Sequence, residues 1–188
     1  IYVERSAENE FVAKLKTEIE KVDLADGDGE GLKIGPFASE AQRQHVEKQV
    51  AQATEEGASV LLGGKRIERD GYWFEPTLLT GVNDSMSIMR DETFGPVSCV
   101  QGVDSVDEAI AKANDSRFGL AATVWTGNEK RAEEWALQVE SGMVGVNRSF
   151  GGSDIGLWAG AKESGLGHTG GVSGMRNFLQ PRTVTVAT

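Results

Sequence analysis

Apolar positions in this chain follow a helical spacing in some stretches and crowd into short β-branched or aromatic runs in others, and the two patterns alternate. Ala7, Phe11, Leu15, Ile19 and Val22 form one stripe, which predicts a helix with Ser6 as N-cap. It should stop before Asp26-Gly-Asp-Gly-Glu-Gly31, a loop by composition. A second helix is predicted from Ser39, with Gln42 three residues on as its capping-box partner, to Gly57. Residues 59–62 read as a short strand. Residues 72–79 have strand composition but contain Pro76, which points to an edge or irregular strand. Residues 97–103 follow as a strand. Ser105 and Glu108 then open a helix carrying Val106, Ala109, Ile110 and Ala113 on one side. After a strand at 121–125, Thr126 or Asn128 caps a helix with Ala132, Trp135, Ala136 and Val139, and residues 143–146 form the next strand. Strand alternating with helix predicts an α/β domain, a mostly parallel sheet with flanking helices on both faces. The tail differs: a glycine-rich stretch, a short helix near residues 171–178, and the alternating run Thr183-Val-Thr-Val186, which reads as a terminal strand.

Composition bounds what such a domain can do. At 188 residues the chain can bury one sizeable core, and 24 glycines imply many tight turns. With 29 acidic against 19 basic residues, the net charge of −10 argues against nucleic acid or an anionic membrane as partner. The apolar runs at 58–62 and 119–125 fall far short of the roughly 18 residues of a membrane span. A lone cysteine excludes an internal disulfide and fits a reducing cytoplasm.

Several motifs lose their chemistry in context. Asp26, Asp28 and Glu30 resemble half of a calcium loop, but Phe37 stands where the bidentate carboxylate belongs. Gly165, Gly167 and Gly170 match a dinucleotide fingerprint in spacing, yet no apolar strand precedes them and no acidic residue follows to hold a ribose. Cys99 lies among strand-forming apolar residues without a sequence-adjacent cation, so it reads as a structural thiol; a thiol enzyme would need it exposed beside a base. His45 and His168 share no metal-ligand spacing, and His45 reads as a surface helix residue. Two places remain. Asp91-Glu-Thr-Phe-Gly-Pro-Val97 sets a carboxylate, which accepts two hydrogen bonds from a diol, two positions from an aromatic ring, and a Gly-Pro pair turns the chain after them. Asn147 follows the strand at 143–146 at the C-terminal end, where α/β folds place their sites; a turn-forming asparagine is the alternative.

Taken with Gly71-Tyr-Trp-Phe-Glu-Pro-Thr-Leu-Leu79, Asn114-Asp-Ser-Arg-Phe-Gly-Leu120 and Ser164-Gly-Leu-Gly167, the 91–97 segment makes the chain resemble the aldehyde dehydrogenase superfamily, in order and spacing from Ile1 to the C-terminus. The resemblance implies an NAD- or NADP-dependent oxidation of a small-molecule aldehyde to a carboxylic acid. It makes residues 1–163 the C-terminal part of the catalytic domain, and 164–188 a glycine-rich loop, short helix and oligomerisation strand. It also places the nucleophilic cysteine before Ile1 and the dinucleotide-binding domain earlier still, so the chain alone is expected to be inactive, and the intact enzyme to be a homodimer or homotetramer. Glu92 then matches the carboxylate on the nicotinamide ribose and Phe94 the aromatic against the nicotinamide. Asn147, Phe150 and Trp158 fall at the substrate pocket. Departures cluster there: Leu157-Trp-Ala-Gly-Ala-Lys162 replaces Pro-Phe-Gly-Gly-x-Lys, and Gly167-His-Thr169 replaces Gly-Arg-Glu. Trp158 and Phe150 suit an apolar or aromatic aldehyde, whereas Arg148 suits an acidic one. A non-enzymatic assembly or regulatory module built on the same fold is the competing reading.

Overall fold

The computed structural model describes residues 1–25, 33–149 and 156–187. They form two compact units, Ile1–Ala109 and Ile110–Thr188. The expected calcium half-loop at Asp26, Asp28 and Glu30 lies outside the described residues.

The first unit runs β1 (Tyr2–Glu4), α1 (Glu8–Ile19), β2 (Asp23–Leu24), β3 (Lys33–Ile34), α2 (Glu40–Glu55), β4 (Ser59–Leu62), β5 (Arg66–Ile67), β6 (Trp73–Phe74), β7 (Thr77–Thr80), α3 (Ser87–Arg90), β8 (Val97–Cys99) and β9 (Gln101–Val103). Its centre is a three-stranded sheet in the order β4-β7-β8, with β7–β8 parallel and β4–β7 antiparallel. Only Val100 separates β8 from β9, which pairs in parallel with β1. Val46, Val50 and Ala53, on one stripe of α2, pack with Phe74, Leu79, Val82, Met86 and Ile88 in the main hydrophobic core. Each fully buried Val, Leu, Ile, Phe or Met side chain contributes about 1.5–3 kcal/mol.

Local signals account for most of these boundaries. Ser39 Oγ accepts the Gln42 N–H at 3.2 Å and starts α2, and Gly57, at φ +106°, lets the chain leave it. One expectation fails on local competition. Ser6 does not cap α1; its hydroxyl donates to the Glu4 carboxylate, and Ala7 occupies the N-cap with no side-chain bond. Of the edge or irregular strand expected over 72–79, the structure shows the irregular one: Pro76 breaks the run but marks no edge. It falls between β6 and β7, and Thr77 N–H donates to Pro96 O at 2.8 Å, so β7 can be the middle strand although a proline precedes it.

The second unit takes over within α4 (Val106–Asn114) and continues β10 (Phe118–Gly119), β11 (Ala121–Val124), α5 (Glu129–Gln138), β12 (Met143–Val146), β13 (Trp158–Ala159), β14 (Ala161–Lys162), β15 (His168–Thr169) and α6 (Gly171–Arg176). The parallel pair β11–β12 carries α5, which buries Ala132 and Trp135. Ser105 Oγ accepts the Glu108 N–H at 3.1 Å, one half of the expected capping box, while the Glu108 carboxylate accepts the Asp104 N–H at 2.8 Å, one residue before the cap. The fold is α/β with flanking helices, and its ladders of three or four pairs are parallel except β4–β7. The strand expected at 183–186 is not formed. Residues 180–187 carry no assigned element, and Val184 and Val186 are exposed, because a terminal strand needs a sheet edge to pair with. Among the described residues, no helix is long and apolar enough to cross a membrane.

Candidate functional site

The turn between α3 and β8 holds two of the expected residues side by side. It is anchored at both ends. Before it, Met86 and Ile88 are buried in the core, and Asp91 N–H closes α3 onto Ser87 O at 2.8 Å. After it, Gly95-Pro96 leads into β8, with Val97 N–H on Gly95 O at 2.8 Å. Between these anchors Glu92 is exposed and Phe94 is 77% exposed, at φ +47°. A bulky non-glycine residue in the left-handed region is an outlier that costs on the order of 1–3 kcal/mol and persists only where its surroundings enforce it. Helix α2 enforces it here. Gln42 Nε2 donates to Thr93 O at 2.9 Å and to Phe94 O at 3.3 Å, and His45 Nε2 lies 3.3 Å from Glu92 O. Beside the turn an open cleft of about 290 Å³ is lined by Ile34, Pro36, Phe37, Phe74, Gly95 and Pro96.

Sequence reasoning missed Gln42 and His45 as site residues. The sequence points to Gln42 as a capping-box partner that reaches back and to His45 as a surface helix residue; His45 is indeed exposed on α2, and its bond to the turn is what the letters do not show. Both bond to backbone carbonyls about fifty residues away, and a carbonyl looks the same in every residue type.

The other expected residues belong to the second unit. Asn147 follows β12 at φ +50°, which asparagine tolerates. Its side chain is already engaged: Nδ2 donates to Thr126 O at 2.9 Å, and Oδ1 accepts the Thr126 N–H at 2.8 Å. The amide thus extends the β11–β12 ladder by one rung and fixes where the following loop starts. Trp158 lies in β13, opposite Thr169 of β15, with half of its surface exposed. Phe150 lies outside the described residues.

Cys99 does not make a thiol-enzyme centre. It packs against the core, and burial pushes its thiol above the ordinary range, which favours the unreactive neutral form. His168 Nε2 is 2.9 Å from Ser173 Oγ, tying β15 to α6. Among the described residues no group of three His, Cys, Asp or Glu side chains is arranged to hold a metal ion.

With the geometry of the turn in place, the comparisons with known proteins define the class. The sequence matches the aldehyde dehydrogenase family over residues 1–184, and the chain belongs to that family. It is 38% identical over 190 residues to the chloroplastic aminoaldehyde dehydrogenase of Arabidopsis thaliana, an alignment that covers 100% of this chain and 38% of the relative. Its fold superposes on the crystal structure of lactaldehyde dehydrogenase from Escherichia coli with a TM-score of 0.92 at 38% identity, covering 97% of this chain and 39% of that one. A point mutant of the betaine aldehyde dehydrogenase of Staphylococcus aureus, solved in complex with NAD+, gives a TM-score of 0.88 at 35% identity, covering 95% and 37%. The chain thus spans less than two-fifths of the length of these relatives.

Proposed function

We propose that this chain serves the NAD- or NADP-dependent oxidation of an aldehyde to its carboxylic acid, as part of a full-length protein of its relatives' size. The observation that carries the reading is the turn at 92–94: a solvent-facing carboxylate and a solvent-facing ring, held in a strained backbone by α2. That arrangement fits a ribose diol and a flat heterocycle. NAD or NADP, when bound, takes up the hydride. Glu92 accepts hydrogen bonds from the ribose hydroxyls, and Phe94 limits where the nicotinamide ring can lie, because its own position is fixed by the bonds to its backbone.

On the substrate side, we assign Asn147, Trp158 and Phe150 to the aldehyde by the family resemblance, with the Asn147 amide held by the Thr126 backbone. The three relatives are named for an aminoaldehyde, lactaldehyde and betaine aldehyde, and we carry over a small polar aldehyde as the substrate class. The thiolate and the general base come, by the family resemblance, from residues outside this chain. The 188 residues alone turn over no aldehyde, since by the family resemblance the nucleophile lies outside them and burial pushes the thiol of their one cysteine upward. The terminal run at 183–186 pairs with a partner subunit in a homodimer or homotetramer, and the lone cysteine fits a cytoplasmic location.

Glu92→Gln in the full-length protein tests the reading. It keeps the shape and weakens charge-assisted bonds to the ribose, each worth about 1.5–3 kcal/mol. Single-turnover hydride transfer should slow while the KM for aldehyde stays near parental. An unchanged hydride-transfer rate removes Glu92 from the site.

A further inference from the structure

The turn that carries Glu92 and Phe94 is held by one face of one helix. Residues 42, 45 and 46 of α2 are spaced i, i+3 and i+4, so their side chains emerge side by side. Each takes a different part of the turn. The Gln42 amide spends both hydrogens on consecutive carbonyls, Thr93 O at 2.9 Å and Phe94 O at 3.3 Å. His45 Nε2 meets the next carbonyl back, Glu92 O, at 3.3 Å, and the bond requires this nitrogen to carry the proton. Val46 meets Gly95 so closely that a Cβ on that glycine would stand 2.7 Å from Val46 Cγ2. Three successive carbonyls and the following Cα are therefore fixed by a surface that is itself rooted in the core, since Val46 is fully buried.

Neither polar residue is needed to start α2. Ser39 caps it through the Gln42 backbone N–H, leaving the Gln42 side chain for the turn. Nor do the carbonyls of Glu92 and Phe94 need these donors for solvation, because at exposed positions they can turn to water. What the donors supply is direction. With the peptide planes on both sides of Phe94 pinned, the residue cannot relax from φ +47° into the ordinary regions, which would swing its ring and move the Glu92 carboxylate with it.

We infer that Gln42 and His45 are positioning residues for the proposed hydride transfer, acting through the backbone of residues 92–94 to aim the Phe94 ring and the Glu92 carboxylate. This rests on the function proposed above.

The test uses the full-length protein. Gln42→Met keeps the reach of the side chain and removes both donors, and Gln42→Lys returns a donor of similar reach. Gln42→Met should lower single-turnover hydride transfer by about tenfold or more, since misplacement on the ångström scale is costly, and leave the KM for aldehyde within roughly threefold of parental. Its amides over residues 93–97 should exchange faster with solvent, its melting temperature should hold, and Gln42→Lys should recover most of the rate. His45→Leu, at an exposed position whose loss cannot unfold the core, should give a smaller drop in the same direction. Parental rates and parental exchange in both Gln42→Met and His45→Leu overturn the inference. A drop accompanied by a lower melting temperature, with no recovery in Gln42→Lys, assigns Gln42 to packing and overturns it too. If the unmutated protein reduces neither NAD nor NADP with any aldehyde, the proposed function fails by itself. Amide exchange at 93–97 then decides whether Gln42 and His45 hold the turn: faster exchange upholds the holding, and unchanged exchange overturns it.

Discussion

Gly95→Ala is the smallest change that lifts the turn off α2. An ideal Cβ at this position would lie 2.7 Å from Val46 Cγ2 and 3.2 Å from both Val46 Cγ1 and Phe37 Cζ. Comfortable carbon contacts begin near 3.5 Å, so the turn or the helix must give by roughly an ångström. Val46 yields poorly, because its β-branch leaves χ1 stiff and its side chain is fully buried. Gly95 is not among the glycines in the left-handed region, so the penalty comes from contact and not from backbone strain. Overpacking of this kind costs about 1–3 kcal/mol. For a domain of this size the melting temperature should fall by about 2–12 °C, at roughly 2–4 °C per kcal/mol. Thermal unfolding of the 188-residue chain, followed by circular dichroism, measures it. The companion variant Val46→Ala removes both contacting methyls and carries its own cavity cost, but in combination with Gly95→Ala it relieves the closest contact and leaves that with Phe37 Cζ at 3.2 Å. The double variant should therefore be less destabilised than the two single changes added together. In the full-length protein Gly95→Ala should also slow hydride transfer, by up to about a hundredfold if the turn moves by an ångström. An unchanged melting temperature together with additive Val46 and Gly95 effects would refute the seating of the turn on Val46.

Two further outcomes follow from the thiol and the tail. Burial raises the Cys99 thiol, so native chain should react with a disulfide reagent at mildly alkaline pH far more slowly than urea-unfolded chain; equal rates would place Cys99 at the surface. The sign of the linkage agrees: the fold favours the neutral thiol, so this contribution is complete below the ordinary thiol range and is lost as pH rises through the raised value, and Cys99→Ser should flatten that alkaline decline. Deleting residues 183–188 from the full-length protein should shift it to smaller species in sedimentation velocity; a parental sedimentation coefficient across dilution would mean that the tail does not bridge subunits.

What the sequence determined by itself is what neighbours in the chain can impose. The strand at Met143–Val146, the Ser39 cap of α2, the glycine exit at Gly57 and the Ser105 bond to the Glu108 N–H all depend on contacts within a few residues, and each appears where its signal stands. The family motif likewise pointed to Glu92 and Phe94, because a carboxylate and a ring two positions apart before Gly-Pro are legible as letters. Ser6 shows the limit even at short range: two local partners competed for one hydroxyl, and Glu4 won.

Only the tertiary structure decided how the turn is held. Gln42 had a local role available and took a distant one, and nothing in the letters at 92–94 announces that their carbonyls accept from α2. Pro76 could precede a central strand because the next residue's N–H found Pro96 O, a partner twenty residues on. Asn147 follows the same rule: its amide is engaged by the backbone of Thr126, which any residue at that position would have offered. Side-chain chemistry is written in the sequence, whereas a backbone carbonyl or N–H is common to nearly every residue. Which of these groups a side chain meets is fixed only when packing brings the segments together.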